Sequence, residues 1–127
     1  VIKTRPRFNL LAEGIYEFFV SHRPKLDSTR GYDYYVFDFE AIDPAGSKHE
    51  FRDFFFPNEE RLHDVLLALG GIEDEEGQVQ VDEDETVGMS FKGQIKHVVV
   101  KGKERARIEK VIEDKEQDVK DENEPPF

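Results

Sequence analysis

From Tyr32 to Phe56 the chain is dense in aromatic residues, several of which recur at period two, and it is interrupted at Asp43-Pro-Ala-Gly46. Period two is the spacing of a β-strand with one buried face. The break is a turn signal, with proline presetting φ and glycine accepting positive φ. The segment therefore predicts an antiparallel hairpin with strands over 32–43 and 48–56. In the first strand Tyr35, Phe37, Phe39 and Ala41 share one face, and Tyr34, Val36, Asp38 and Glu40 share the other. In the second, Phe51 and Phe55 lie opposite Arg52 and Phe54.

A further strand is expected over 14–21, with Tyr16, Phe18 and Val20 on one face. A polar loop is expected over 22–31. At Pro57 the period changes to 3.6: Leu62, Val65, Leu66 and Leu69 form one stripe of a helix over 57–70, with Glu59 and Glu60 at its start and Gly70 as its stop. Residues 71–85 are acidic and expected to be loop. Two strands follow, over 89–101 and 103–112, turning at Gly102, with a bulge expected at His97–Val100 where the alternation blurs. From Glu113 onward only Val119 and Phe127 are large and apolar, so a disordered tail is expected. The fold class is thus all-β with one helix. The order β-β-β-α-β-β is that of a five-stranded OB-fold barrel, a scaffold that commonly binds oligonucleotides or oligosaccharides. The expected organisation is an OB-fold domain over 1–112 and a flexible acidic tail over 113–127.

The formal net charge of −11 argues against a polyanionic partner until it is parsed along the chain. Residues 73–85 hold eight acids and no base, and residues 113–127 hold seven acids against two lysines. The remainder is slightly basic, so nucleic acid stays open as a partner. The absence of cysteine excludes disulfides, thiolate metal sites and a cysteine nucleophile. Apolar runs such as Val65–Leu69 fall far below the roughly 20 residues of a membrane-spanning helix, and no charged-then-apolar signal opens the chain. A cytoplasmic location without membrane contact is expected.

Aromatic residues exceed what one barrel interior needs. Phe18, Phe37, Phe39, Phe51, Phe55 and Phe91 are assigned to the core, whereas Phe19, Tyr34 and Phe54 fall on the opposite face. Exposed rings on a sheet are stacking platforms for bases, each contributing about 1–3 kcal/mol. Bases recur on the same face or in the first loop: Arg23, Lys25, Arg30, Lys48, Arg52, Lys92, Lys96, Arg105 and Arg107. Lys3, Arg5 and Arg7 add an N-terminal arm, and Lys101 and Lys103 flank the last turn. Together they suit a groove that follows a phosphate backbone. The four histidines lack metal-type spacing, Asp82–Glu85 fails the EF-hand pattern, and no phosphate-binding glycine motif occurs. Neither an enzyme nor a cofactor or metal is expected.

The chain ends Asp121-Glu-Asn-Glu-Pro-Pro-Phe127, an acidic segment closed by an aromatic ring and a carboxylate. Here it resembles bacterial and phage single-stranded-DNA-binding proteins, whose acidic tails end in Pro-Phe. Pro126-Phe127 match, preceded by Glu122 and Glu124. Pro125 departs from the isoleucine of the bacterial pattern, and consecutive aspartates are fewer. The body lacks the tryptophans of bacterial members and is more similar to small phage-encoded ones. The shared segments are Gly14-Ile-Tyr-Glu-Phe-Phe-Val, Tyr34-Tyr-Val-Phe-Asp-Phe and Leu62–Gly70. The resemblance implies sequence-nonspecific binding of single-stranded DNA in replication, recombination or repair, within the host cytoplasm for a phage protein. It also implies a tail that recruits replication or repair proteins through Glu122, Glu124, Pro126 and Phe127, or competes with DNA. The rival expectation is a protein-interaction module or acidic DNA mimic on an OB scaffold. The outer aromatics would equally serve a homo-oligomer.

Overall fold

A computed structural model describes residues 1–2 and 10–112. Its elements run β1 (Gly14–Val20), β2 (Lys25–Thr29), β3 (Tyr32–Ile42), β4 (Lys48–Phe55), α1 (Glu60–Ala68), β5 (Ile72–Glu73), β6 (Val79–Gln80), α2 (Glu83–Thr86), β7 (Ser90–Val100) and β8 (Lys103–Ile112). The chain is mostly β-sheet with two short helices, one more than expected. Among the described residues no helix is long and apolar enough to cross a membrane.

The expected hairpin is β3–β4, paired antiparallel from Tyr35 opposite Phe55 to Ile42 opposite Lys48. Asp43 builds its turn: its Oδ1 accepts the Ala45 and Ser47 N–H groups at 3.0 and 2.8 Å. β3 is the centre of the main sheet. Its other edge is shared, with β1 pairing its C-terminal half and β2 its N-terminal half. β1 also pairs with β7, and β7 with β8. The path is therefore β4-β3-β1-β7-β8, with β2 extending the line of β1.

Three expectations are corrected. Residues 25–29 of the supposed loop form β2, joined to β3 by the two-residue turn Arg30-Gly31. Both turn residues have positive φ (51° and 82°), as a type I′ hairpin turn requires. Residues 71–85 are built rather than loop. β5 and β6 form a small hairpin, Asp74 Oδ1 accepts the Glu76 and Gln78 N–H groups, and the Asp82 carboxylate caps Asp84 at the start of α2. The bulge lies at Gln94/Ile95 rather than at His97–Val100, where the ladder with Lys103–Ala106 is regular. Its cause is burial: Ile95 and Ile108 are both fully buried and paired, while Val111 pairs with buried Gly93. One extra residue in β8, Glu109, lets Ile108 and Val111 both face inward.

The core is an aromatic stack. Phe18 packs on Phe91 at 5.4 Å and on Phe39 at 5.5 Å, and Phe37 lies parallel to Phe39 at 5.7 Å. Gly93 makes room for it, since a Cβ there would meet Phe18 Cε2 at 3.1 Å and Phe91 Cε2 at 3.3 Å. Of the six phenylalanines expected inside, five are buried; Phe51 is half-buried at the margin, 5.8 Å from Phe18. Leu62, Val65 and Leu69 of the helical stripe close the core from the α1 side. The helix ends as its glycine predicts, with the Gly70 and Gly71 N–H groups donating to the carbonyls of Leu67 and Leu66.

The edges β4 and β8 approach one another, yet no backbone ladder joins them among the described residues. Side chains bridge the seam instead. Asp53, buried between Phe51 and Phe55, accepts the Ile108 N–H at 2.8 Å and an Arg61 guanidinium N–H at 3.1 Å through Oδ2. Its Oδ1 accepts the Phe54 N–H at 2.8 Å. Arg61 also donates to the carbonyls of Ile108 and Phe54 and to Glu59, and covers the Phe55 ring at 4.5 Å. Burial pushes the Asp53 carboxyl above the usual carboxylate range, and the Arg61 guanidinium with the two backbone donors pulls it back.

Candidate nucleic-acid interface

The β3–β4 register fixes which side chains share the face away from the core. Phe54 stands opposite Val36 and Arg52 opposite Asp38. On that face three rings meet: Tyr34 lies 5.9 Å from Phe54 and 6.5 Å from Phe56, both edge to face. Phe54 and Phe56 are 39% and 47% exposed, and Tyr32, two residues from Tyr34 on the same face, is 67% exposed. Phe56 and Tyr32 were not singled out from sequence. The signal was present in the period: 54 and 56 share one parity, as do 32 and 34. Solvated rings at this density are unusual for a face with no partner.

Bases frame the aromatic patch. Lys25 stands across Val36 on the β2 side, and Arg30 forms the apex of the β2–β3 turn. Arg52 is held by Asp38, with Nε donating to Oδ1 at 2.7 Å and an Nη to Oδ2 at 3.2 Å. The Arg52 guanidinium holds the Asp38 carboxyl below its ordinary range, and Asp38 in turn raises Arg52. The Arg52 side chain keeps 56% of its surface in solvent. Lys48 lies farther along β4, opposite Ile42.

A second cluster lies on β7–β8. Lys92 is opposite Glu17, Lys96 opposite Arg107, and Arg105 opposite Val98, all by parity on the same outer face. The structure does not merge this strip with the aromatic patch. Glu17, Glu40 and Glu50 occupy outer positions between them, and Phe19 stands opposite Glu40, half-buried and with no ring contact among the described residues. Arg23 is paired outside both clusters. Its Nε donates to Asp84 Oδ1 at 2.7 Å, tying the segment after β1 to α2. Lys3, Arg5 and Arg7, and the tail residues Glu122, Glu124, Pro126 and Phe127, lie outside the described residues.

Two other features lie away from this face. Glu60, His63 and Asp64, at i, i+3 and i+4 of α1, bring ligand atoms within 4.8 Å of one another. His63 Nε2 is already engaged with Glu73 at 3.3 Å, and these carboxylates raise its pKa from the ordinary histidine value. An apolar groove of about 400 Å³ runs between α1 and the β5–β6 hairpin, lined by Tyr35, Phe37, Leu62, Leu66 and Val79. It opens on the core side, away from the aromatic patch. No protein-family model matches the chain, and no curated protein matches it in sequence.

Proposed function

We propose that the chain is a sequence-nonspecific single-stranded-DNA-binding protein of OB-fold type, with the outer face of β3–β4 as its stacking surface. The observation that carries this reading is the Tyr34–Phe54–Phe56 cluster, with Phe54 and Phe56 exposed around a half-buried Tyr34, on a sheet face flanked by Lys25, Arg30 and Arg52. If β1 and β2 count as one bent strand, the path β4-β3-β1-β7-β8 has the strand neighbours of an OB barrel opened along one seam. In that scheme β3 and β4 are the barrel's second and third strands, the usual oligonucleotide face, and the Arg30 and Lys101 turns are the loops that flank it. Nucleobases stack on the exposed rings, and Lys25, Arg30, Lys48 and Arg52 neutralise phosphates. The protein serves replication, recombination or repair, and residues 113–127 recruit partner proteins or compete with DNA.

Fluorescence anisotropy with labelled oligo-dT at several salt concentrations tests the reading. About four neutralised phosphates give a slope of log K against log salt near roughly −3. Binding should also cover ~4–16 nucleotides with little sequence preference. Absence of salt-sensitive binding at micromolar protein removes the proposal. Aromatic-patch variants that bind DNA normally but lose assembly with another protein would install the interaction-module reading in its place.

A further inference from the structure

Opposite formal charges are built into the two ends of the molecule. At one end β7 continues past the start of β1: Gly14 pairs with Ile95, and beyond His97, which is tied to Glu13 and Leu11 at 2.8 Å each, Val98 to Val100 and the returning strand from Lys103 project as an arm. The arm and its root carry Lys96, Lys101, Lys103, Arg105 and Arg107 against Glu104 alone. At the other end, the Val20 N–H donates to Met89 O at 3.0 Å and the Gly88 N–H to Val20 O at 2.9 Å. These bonds fix the Ile72–Thr86 insert beside the end of β1, with Arg23–Asp84 as a further tie. The insert carries eight acids and no base. Lys101, Lys103 and Arg105 make no ion pair among the described residues, nor do Glu75, Glu76 and Glu85.

The two ends cannot neutralise each other within one chain. The seven residues of β1 separate them, and at ~3.3 Å per residue that is roughly 20 Å of rigid sheet. Salt at 0.1 M screens charge over about 10 Å. Each end also exposes apolar surface beside its charges: Val99 (72%) and Val100 (43%) on the arm, Ile72 (76%) on the insert. A charged rim around a small apolar centre is the anatomy of a weak protein contact.

We propose that copies of this chain associate head to tail, the β7–β8 arm of one seating against the acidic insert of the next. The surfaces in contact differ, so the association is heterologous and extends rather than closing on a dimer. The net charge of −11 does not forbid it, because at a screening length of about 10 Å the facing patches outweigh the distant acids. The inference does not depend on DNA binding and is tested without DNA.

The test is sedimentation of the full chain in about 0.1 M and about 1 M salt, with two variants. E75K/E76K makes the insert less acidic, and K103E/R105E cancels the arm's positive charge, leaving three bases against three acids; all four residues are exposed, and circular dichroism checks that the fold is kept. Wild type should grow in average mass with concentration in low salt and fall to monomer in high salt. Each variant alone should remain monomeric. An equimolar mixture should form a one-to-one pair, because the intact arm of E75K/E76K meets the intact insert of K103E/R105E. A monomeric wild type, a wild-type mass that stops at dimer, or a mixture that stays monomeric overturns the proposal.

Discussion

Arg52 and Asp53 are consecutive on β4 and face opposite sides of the sheet, and each belongs to an Asp–Arg pair. On the outer face Arg52 meets Asp38 with side chains 56% and 26% exposed. At the β4–β8 seam Asp53 meets Arg61 with side chains 6% and 12% exposed. Water competes for the first pair and is excluded from the second. An exposed pair contributes about 0.2–1 kcal/mol and yields readily to another anion. A buried one has lost its hydration, so either partner alone is an uncompensated charge. The same chemistry therefore holds the fold on one face and leaves an exchangeable cation on the other. In the proposed DNA-binding role a phosphate displaces Asp38 from Arg52, whereas the buried Asp53 has no such substitute.

The largest expected effect is at the seam. Asp53→Ala leaves the Arg61 guanidinium and the Ile108 N–H without their shared acceptor, and should cost about 3–5 kcal/mol. Urea unfolding followed by circular dichroism measures it. A loss below about 1 kcal/mol would show that the seam pair is no better than the surface pair, and the contrast fails. Arg52→Ala is the companion variant, expected to change stability by no more than about 1 kcal/mol.

On the outer face the readout moves from stability to binding. Phe54→Ala or Tyr34→Ala should each weaken oligo-dT binding by ~1–3 kcal/mol, roughly 5- to 150-fold, while unfolding stays near wild type. Phe19→Ala should matter less, because Phe19 is half-buried and separated from the ring cluster by Glu40 and Asp38. Equal losses at Phe19 and Phe54 would mean that the DNA path crosses the acids rather than the β3–β4 patch. Anisotropy titrations of the three variants decide it.

What the sequence disclosed follows the strength of its periodic signals. The β3–β4 hairpin and α1 were legible because large apolar residues mark one face at a clear period. β2 was not, since all five residues are exposed and its turn places Arg30 at positive φ, where asparagine or aspartate is the usual cue. The insert was hidden by its charge: its hairpin and helix are organised by Asp74 and Asp82 accepting backbone N–H groups, which leave no apolar trace. The seam left one sign, an aspartate in the inward phase between Phe51 and Phe55, a local violation that only a partner across the gap explains. For the candidate site, parity alone grouped Tyr34, Phe54, Arg52, Lys92, Lys96, Arg105 and Arg107 on one face. Parity could not show that Asp38 holds Arg52 or that Asp84 takes Arg23, because those contacts depend on register and on the placement of an insert.

The smallest expected effect comes from a third pair, whose cation can be switched off. His63 on α1 meets Glu73 of the insert at 3.3 Å and Asp64 at 3.6 Å. The Glu73 hydrogen bond, with Asp64 in support, raises the pKa of His63 above the ordinary histidine value of 6.5. A raised folded-state pKa means that protonated His63 favours the folded insert. That contribution is complete below the unfolded value of about 6.5 and disappears as pH rises through the folded one. Nuclear magnetic resonance titration of the imidazole should find a midpoint above the ordinary value in wild type and nearer to it in Glu73→Gln. Amide exchange across Ile72–Gln80 should quicken beyond its intrinsic pH dependence as His63 loses its proton. If His63 titrates at or below the ordinary value, solvent has already dissolved this pair. The graded series from the Asp53–Arg61 seam through Asp38–Arg52 would then end one step earlier, with burial rather than proximity deciding which carboxylate contacts count.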